Sequence, residues 1–227
     1  MAYLHLFYAP LWLSVGMSSS PSKSLRQVQL KRIRRAEEMG QPTIATQLRE
    51  AYLRIYPDHG PMWLSYGVGL VESARYEEAR KVIRHAIRLC PADRLSIPYT
   101  QMGHLYEQRG NLRRAALWFH KATVASPTDA NGYIFLGTVV ALMGDLDGAL
   151  KWYEQGARCA SGRIEEAHYN AGLVLRAMGR YAEAARAFRR ALKADSGYVK
   201  AQQALRDVES ALKGAARSLD GKIEPMR

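Results

Sequence analysis

Apolar and polar positions do not alternate over any sustained stretch of this chain, so the pattern predicts no strands. Large and small apolar residues instead return in one fixed order about every 34 residues. Let the glycine that recurs at the matching place, Gly67 in the first clear unit, be position 8. The unit beginning at Gly60 then has Trp63 at 4, Leu70 at 11, Ala79 at 20, Ile83 at 24, Ala86 at 27 and Pro91 at 32. The unit from Ser96 repeats this with Tyr99, Gly103, Tyr106, Ala115, Phe119, Ala122 and Pro127. The unit from Ala130 gives Tyr133, Gly137, Val140, Ala149, Tyr153, Gly156 and Ser161. The unit from Glu165 gives His168, Gly172, Leu175, Ala184, Phe188, Ala191 and Ser196. The last two units lack the closing proline.

Each unit reads as two antiparallel helices. Glycine at 8 and alanine at 20 let the pair approach closely, and the large residues at 4 and 24 fill the space beside that contact. Gly110, Gly144 and Gly179 stand between the helices, where a left-handed C-cap favours glycine. The first unit carries Ala74 there. Glu77, Glu78 and Glu183 open second helices, where acids suit the helix dipole. Trp118 and Trp152 lie on second helices, facing the convex side or the next unit.

The order also extends backwards. Pro57, Ala45 and Gly40 take matching places, so residues 26–59 read as a degenerate unit that caps the N-terminal end, with Ile33 at position 8. At the other end, residues 199–212 predict one amphipathic helix that buries Ala201, Ala204, Leu205, Val208 and Leu212 and covers the last open surface. The predicted repeat domain spans 23–212, with units near 26–59, 60–95, 96–129, 130–164 and 165–198. Residues 213–227 predict a disordered tail.

This order of residues resembles the tetratricopeptide repeat, whose pattern is a large residue, Leu-Gly, Tyr, then Ala, Phe, Ala and Pro. Leu136 and Gly137 match it literally; position 7 is elsewhere Tyr66, Met102 or Ala171. The resemblance implies an all-α, right-handed superhelical solenoid whose first helices line a concave groove. Positions 2, 5, 6, 9 and 12–13 would face that groove. On these positions the expected partner-binding residues are Leu64, Val68, Val71, Ile97, Thr100, Gln101, His104, Asn131, Ile134, Phe135, Thr138, Tyr169, Asn170, Leu173 and Arg176. Leu64, Ile134 and Tyr169 share position 5 and would form an apolar strip. An extended peptide or an amphipathic helix of a partner protein would fit such a surface. Chaperone-binding members hold a terminal carboxylate with Lys and Asn at positions 5 and 9. Leu64 and Val68 stand there in this chain, which disfavours chaperone tails as ligands.

Charge adds a second reading. The chain of 227 residues carries a formal net charge of +12, spread along its length. Its densest basic run is Lys31, Arg32, Arg34 and Arg35. A basic face can hold nucleic acid or anionic lipid, although such runs more often keep a helix face solvated. Against nucleic acid, no base-reading pair recurs at fixed repeat positions.

No P-loop, GxSxG, HExxH or paired-carboxylate arrangement appears, so the chain does not read as an enzyme. The two cysteines, Cys90 and Cys159, and the six histidines show no zinc spacing, and neither metal nor cofactor is expected. Residues 1–22 form an apolar, then serine-rich, leader. Residues 1–16 carry no charged side chain, lack the basic start of a signal peptide, and fall short of the roughly 20 apolar residues of a span. Three readings stay open for them: Met17 is the start, or the segment anchors the chain to a membrane, or it is an atypical export signal. The repeats themselves are expected in the cytoplasm, the leading function being a protein-binding adaptor and the alternative a helical-repeat nucleic-acid binder.

Overall fold

The computed structural model describes residues 23–220; the apolar leader and residues 221–227 lie outside them. Eleven α-helices follow one another: α1 (Lys23–Glu38), α2 (Pro42–Ile55), α3 (Gly60–Glu72), α4 (Tyr76–Leu89), α5 (Ser96–Gln108), α6 (Leu112–Ala125), α7 (Ala130–Leu142), α8 (Leu146–Gly156), α9 (Ile164–Ala177), α10 (Tyr181–Ala194) and α11 (Val199–Asp220). One 3-10 turn, Ala92–Arg94, links α4 to α5. Each odd helix packs on the even helix that follows it, and each pair packs on the next. The all-α solenoid expected from the repeat is the architecture found.

Packing explains the residue choices. A Cβ on Gly103 would lie 2.5 Å from the Phe119 ring, and one on Gly172 would lie 2.5 Å from Phe188. No side chain fits between those helices while the ring keeps its place. Phe119, Phe188, Ala115 and Ala184 are fully buried there. Truncating either ring to alanine costs about 3–5 kcal/mol. The turns are equally specific. Gly110 takes φ +71°, and Ala74 adopts the same left-handed conformation at φ +57° without being glycine. Its amide donates to the Val71 carbonyl, and the Arg75 amide donates to that of Leu70, as the Gly110 and Asn111 amides do one unit later.

Unit junctions differ. Where a proline closes the unit, the chain reaches the next first helix through the 3-10 turn after Pro91 and through Thr128 and Asp129 after Pro127. The third unit has Ser161 instead, and the link after α8 lies against the link before α7. Asp129 and Ser161 form a parallel bridge. The Ala130 amide donates to the Ser161 carbonyl, and the Ser161 amide to that of Thr128. At the C-terminal end α11 buries Ala201, Ala204 and Val208. It continues to Asp220, past the 212 expected, so the first part of the expected disordered tail is helical. Leu212, expected on the buried face, is 37% exposed. No helix among the described residues is long and apolar enough to cross a membrane.

Candidate functional site

Residues at positions 2, 5, 6 and 9 of α3, α5 and α7 form two adjoining recesses. The first, about 350 Å³, lies between α3, α4 and α5 and is walled by Gly60, Pro61, Leu64, Ala86, Leu89, Cys90, Pro91, Arg94, Ile97 and Pro98. It is apolar apart from the Arg94 side chain. Burial and the nearby Asp93 push the Cys90 thiol upward, so this wall carries no thiolate at neutral pH.

The second recess, about 260 Å³, lies between α5 and α7 and is lined by Ile97, Thr100, Gln101, His104, Asn131 and Phe135, with Asp129 and Arg163 at one end. His104 sits edge-on to Phe119 and to Phe135, with ring centroids 5.0 and 4.6 Å away. Its Nδ1 lies 3.0 Å from Glu107. Arg163 joins the recess from the link before α9. Its Nε donates to Asn131 Oδ1 at 3.0 Å, its guanidinium pairs with Glu166, and it stands 5.5 Å from the Phe135 ring centre. A cation over an aromatic face, with N–H donors already oriented, suits an approaching acceptor. Ile97 belongs to both recesses and is 58% exposed.

The structure thus gathers Leu64, Ile97, Thr100, Gln101, His104, Asn131 and Phe135 into one continuous surface. It places other expected residues elsewhere. Ile134 is 1% exposed and belongs to the core, which overturns its place in the groove. The cause is the central position of α7, which packs on α5, α6, α8 and α9 and buries seven of its residues. The apolar strip of Leu64, Ile134 and Tyr169 is therefore broken. Tyr169 is half-buried and packs on Phe188 and Tyr198, at 5.8 and 5.3 Å between ring centroids. The Thr138 hydroxyl is taken by the Ile134 carbonyl and the Tyr153 hydroxyl. Val71 and Leu173 are half-buried against the core, and Val68 and Asn170 are also half-buried, outside both recesses. Arg176 is exposed on α9. Lys31, Arg32, Arg34 and Arg35 are all exposed on α1, and none joins an ion pair among the described residues.

Arg163 is the residue that repeat register alone misses. It lies just before a first helix, outside the five groove positions. The signal that marks it is the missing proline at Ser161, which sends the link back across α7. No group of three or more His, Cys, Asp or Glu side chains able to hold a metal occurs among the described residues.

Comparison with known proteins agrees with this architecture. Tetratricopeptide-repeat family models match residues 100–164 and 165–198. A chain of the APC/C hetero-tetramer Cut9–Hcn1 superposes over 83% of this chain and 37% of its own length, with TM-score 0.62 and 18% identity. MamA from Desulfovibrio magneticus RS-1 covers 76% of this chain and 96% of its own, with TM-score 0.60 and 16% identity. YrrB, described as a TPR protein with an unusual peptide-binding site, covers 78% and 90%, with TM-score 0.53 and 17% identity. A sequence search of curated proteins gives no match. Identities this low carry the fold and nothing of the partner. From the two matched segments, the repeat register and the stacked helix pairs, the chain is a tetratricopeptide-repeat protein.

Proposed function

We propose that this protein is a non-enzymatic scaffold that binds an extended segment of a partner protein across the two recesses joined at Ile97. The observation that carries this reading is the adjacency of an apolar recess and a polar, arginine-ended one, with an exposed isoleucine between them. A partner side chain of aliphatic size would fill the space beside Leu64. A carbonyl or carboxylate further along would meet Gln101, Asn131 and Arg163. That YrrB is described as peptide-binding is consistent with this use of the fold.

Affinity capture from a lysate tests the reading, run with nuclease and at low and moderate salt. Ile97→Asp and Leu64→Glu are expected to weaken capture of the same protein at least about tenfold. Because Ile97 is exposed, its change should leave the melting temperature within a degree or so. Val124→Asp, at a 68% exposed site on α6, is the matched control. Undiminished capture by both groove variants would sink the proposal.

The basic run of α1 supports a second reading, nucleic-acid binding, because its four cations are exposed and join no ion pair among the described residues. Recovery of nucleic acid that falls steeply with salt and ignores the groove variants would favour it.

A further inference from the structure

The fourth unit lacks the tyrosine–tryptophan filling that the second and third carry at positions 4 and 23. In the second unit Tyr99, Met102 and Trp118 occupy positions 4, 7 and 23, with the Tyr99 and Trp118 rings 5.7 Å apart. In the third, Tyr133, Leu136 and Trp152 do the same, with Tyr133 and Trp152 6.3 Å apart. The fourth has His168, Ala171 and Ala187. All three positions shrink together, and a cavity of about 300 Å³ opens between α8, α9 and α10.

Its lining is cationic. Arg158, Arg180, Arg186 and Arg190 face it, against Glu154 and Glu183. Glu183 is already occupied, since Arg180 donates to both its oxygens at 2.7 Å and Arg186 stands 3.9 Å away. Arg158 and Arg190 have no carboxylate within ion-pair distance among the described residues, and Glu154 pairs with none of the four. Two uncompensated guanidinium groups beside a roomy, half-enclosed space are the donor set of an oxyanion site. A cavity left only by missing bulk would gain nothing from such a rim.

We propose that this cavity binds a phosphate dianion, free or as a monoester, with Arg158 and Arg190 as its principal donors and His168 in its lining. Phosphate has the size and the acceptor count for it: its volume is well below that of the tyrosine–tryptophan pair it replaces, and its oxygens can each accept from a separate guanidinium. The cavity shares no lining residue with either recess, so it does not depend on the peptide reading. The dianion can be free or carried on a phosphorylated serine, and the chemistry of recognition is shared.

The test uses the whole chain and two probes, inorganic phosphate and a phosphoserine peptide beside its unphosphorylated form. Binding is read by calorimetry and by the titration of the His168 imidazole. Burial, and after it Arg190, holds that imidazole below its ordinary value. A dianion beside it should raise it, against the fixed background of Glu154, Glu183 and the four arginines. Two variants separate charge from space: Arg158→Gln/Arg190→Gln removes the donors, and Ala187→Trp refills the cavity as in the second and third units while keeping every arginine. Both are checked for native helicity. The proposal expects binding by the native chain, weakened at least about tenfold by each variant, and an upward shift of His168. Phosphate alone binding assigns a free-anion site, whereas preference for the phosphoserine peptide over its parent assigns a modified partner. Equal binding by the native chain and both variants would mean loose surface attraction and overturn the site, as would no binding of either probe at millimolar concentration. If Ala187→Trp does not fold, His168→Tyr serves as the filling variant.

Discussion

At the scale of single residues, Ala74 shows most clearly how the repeat tolerates an imperfect letter. Its left-handed backbone costs an L-residue roughly 1–2 kcal/mol, and glycine at the matching turns avoids that cost. The two amide–carbonyl bonds of the C-cap keep the residue there all the same. Ala74→Gly should therefore stabilise the protein by up to about 1 kcal/mol, after the entropy glycine adds to the unfolded chain is subtracted. Urea unfolding of the two proteins checks this, and a decrease in midpoint would show that the cap is unstrained. The turn itself was legible from register alone, because Ala74 occupies the slot of Gly110 and Gly144. The burial of Ile134 was not. Register fixes which side of a helix a residue occupies, but not how tightly the flanking helices close over it. Position 5 is half-buried in Leu64 and Tyr169 and sealed in Ile134, where α7 packs on α5, α6, α8 and α9.

At the scale of helices, the caps at the two ends are unequal. α11 buries Ala201, Ala204 and Val208 against α10, whereas α1 buries only Ile33 and Ala36 and leaves Leu25 and Val28 half exposed. The terminal covering helix was readable from the apolar spacing of its sequence. Its length was not, since Lys213 and Gly214, which follow the predicted end, are exposed and continue no apolar spacing. A chain ended at Gly197 should leave the face of α10 that packs on α11 uncovered, melt several degrees lower and bind an apolar dye at neutral pH. Unchanged melting would mean that α10 needs no cover. The groove was partly legible too: the five positions implied by the repeat led to Ile97, Gln101, His104 and Asn131, which line the second recess. Arg163 was hidden because it comes from a link, and only packing shows where a link lies.

At the scale of the whole molecule, contacts run between neighbouring pairs and do not connect distant ones, so stability is a sum of local terms. Such arrays do not open uniformly. The thin burial of α1 predicts that its amides exchange fastest among the helices, while those of α7 exchange slowest. Hydrogen exchange followed by mass spectrometry reads this directly. Equal protection at the two helices would mean that the solenoid unfolds as one cooperative block.

The bridge between Asp129 and Ser161 bears on how load passes along that array. At the other junctions among the described residues no backbone bond joins two links, and the packed side chains there can slide over one another. Here two links are tied by backbone bonds, so any rotation of α9 against α7 must first break amide–carbonyl pairs. Arg163, two residues beyond the tie, is held by the same constraint in the wall of the second recess. The stiffest seam of the molecule thus borders its proposed binding surface. A ligand that pulls on that wall would be resisted by the third and fourth repeats moving as a single lever, and any bending needed to admit it must come from the proline-closed junctions upstream.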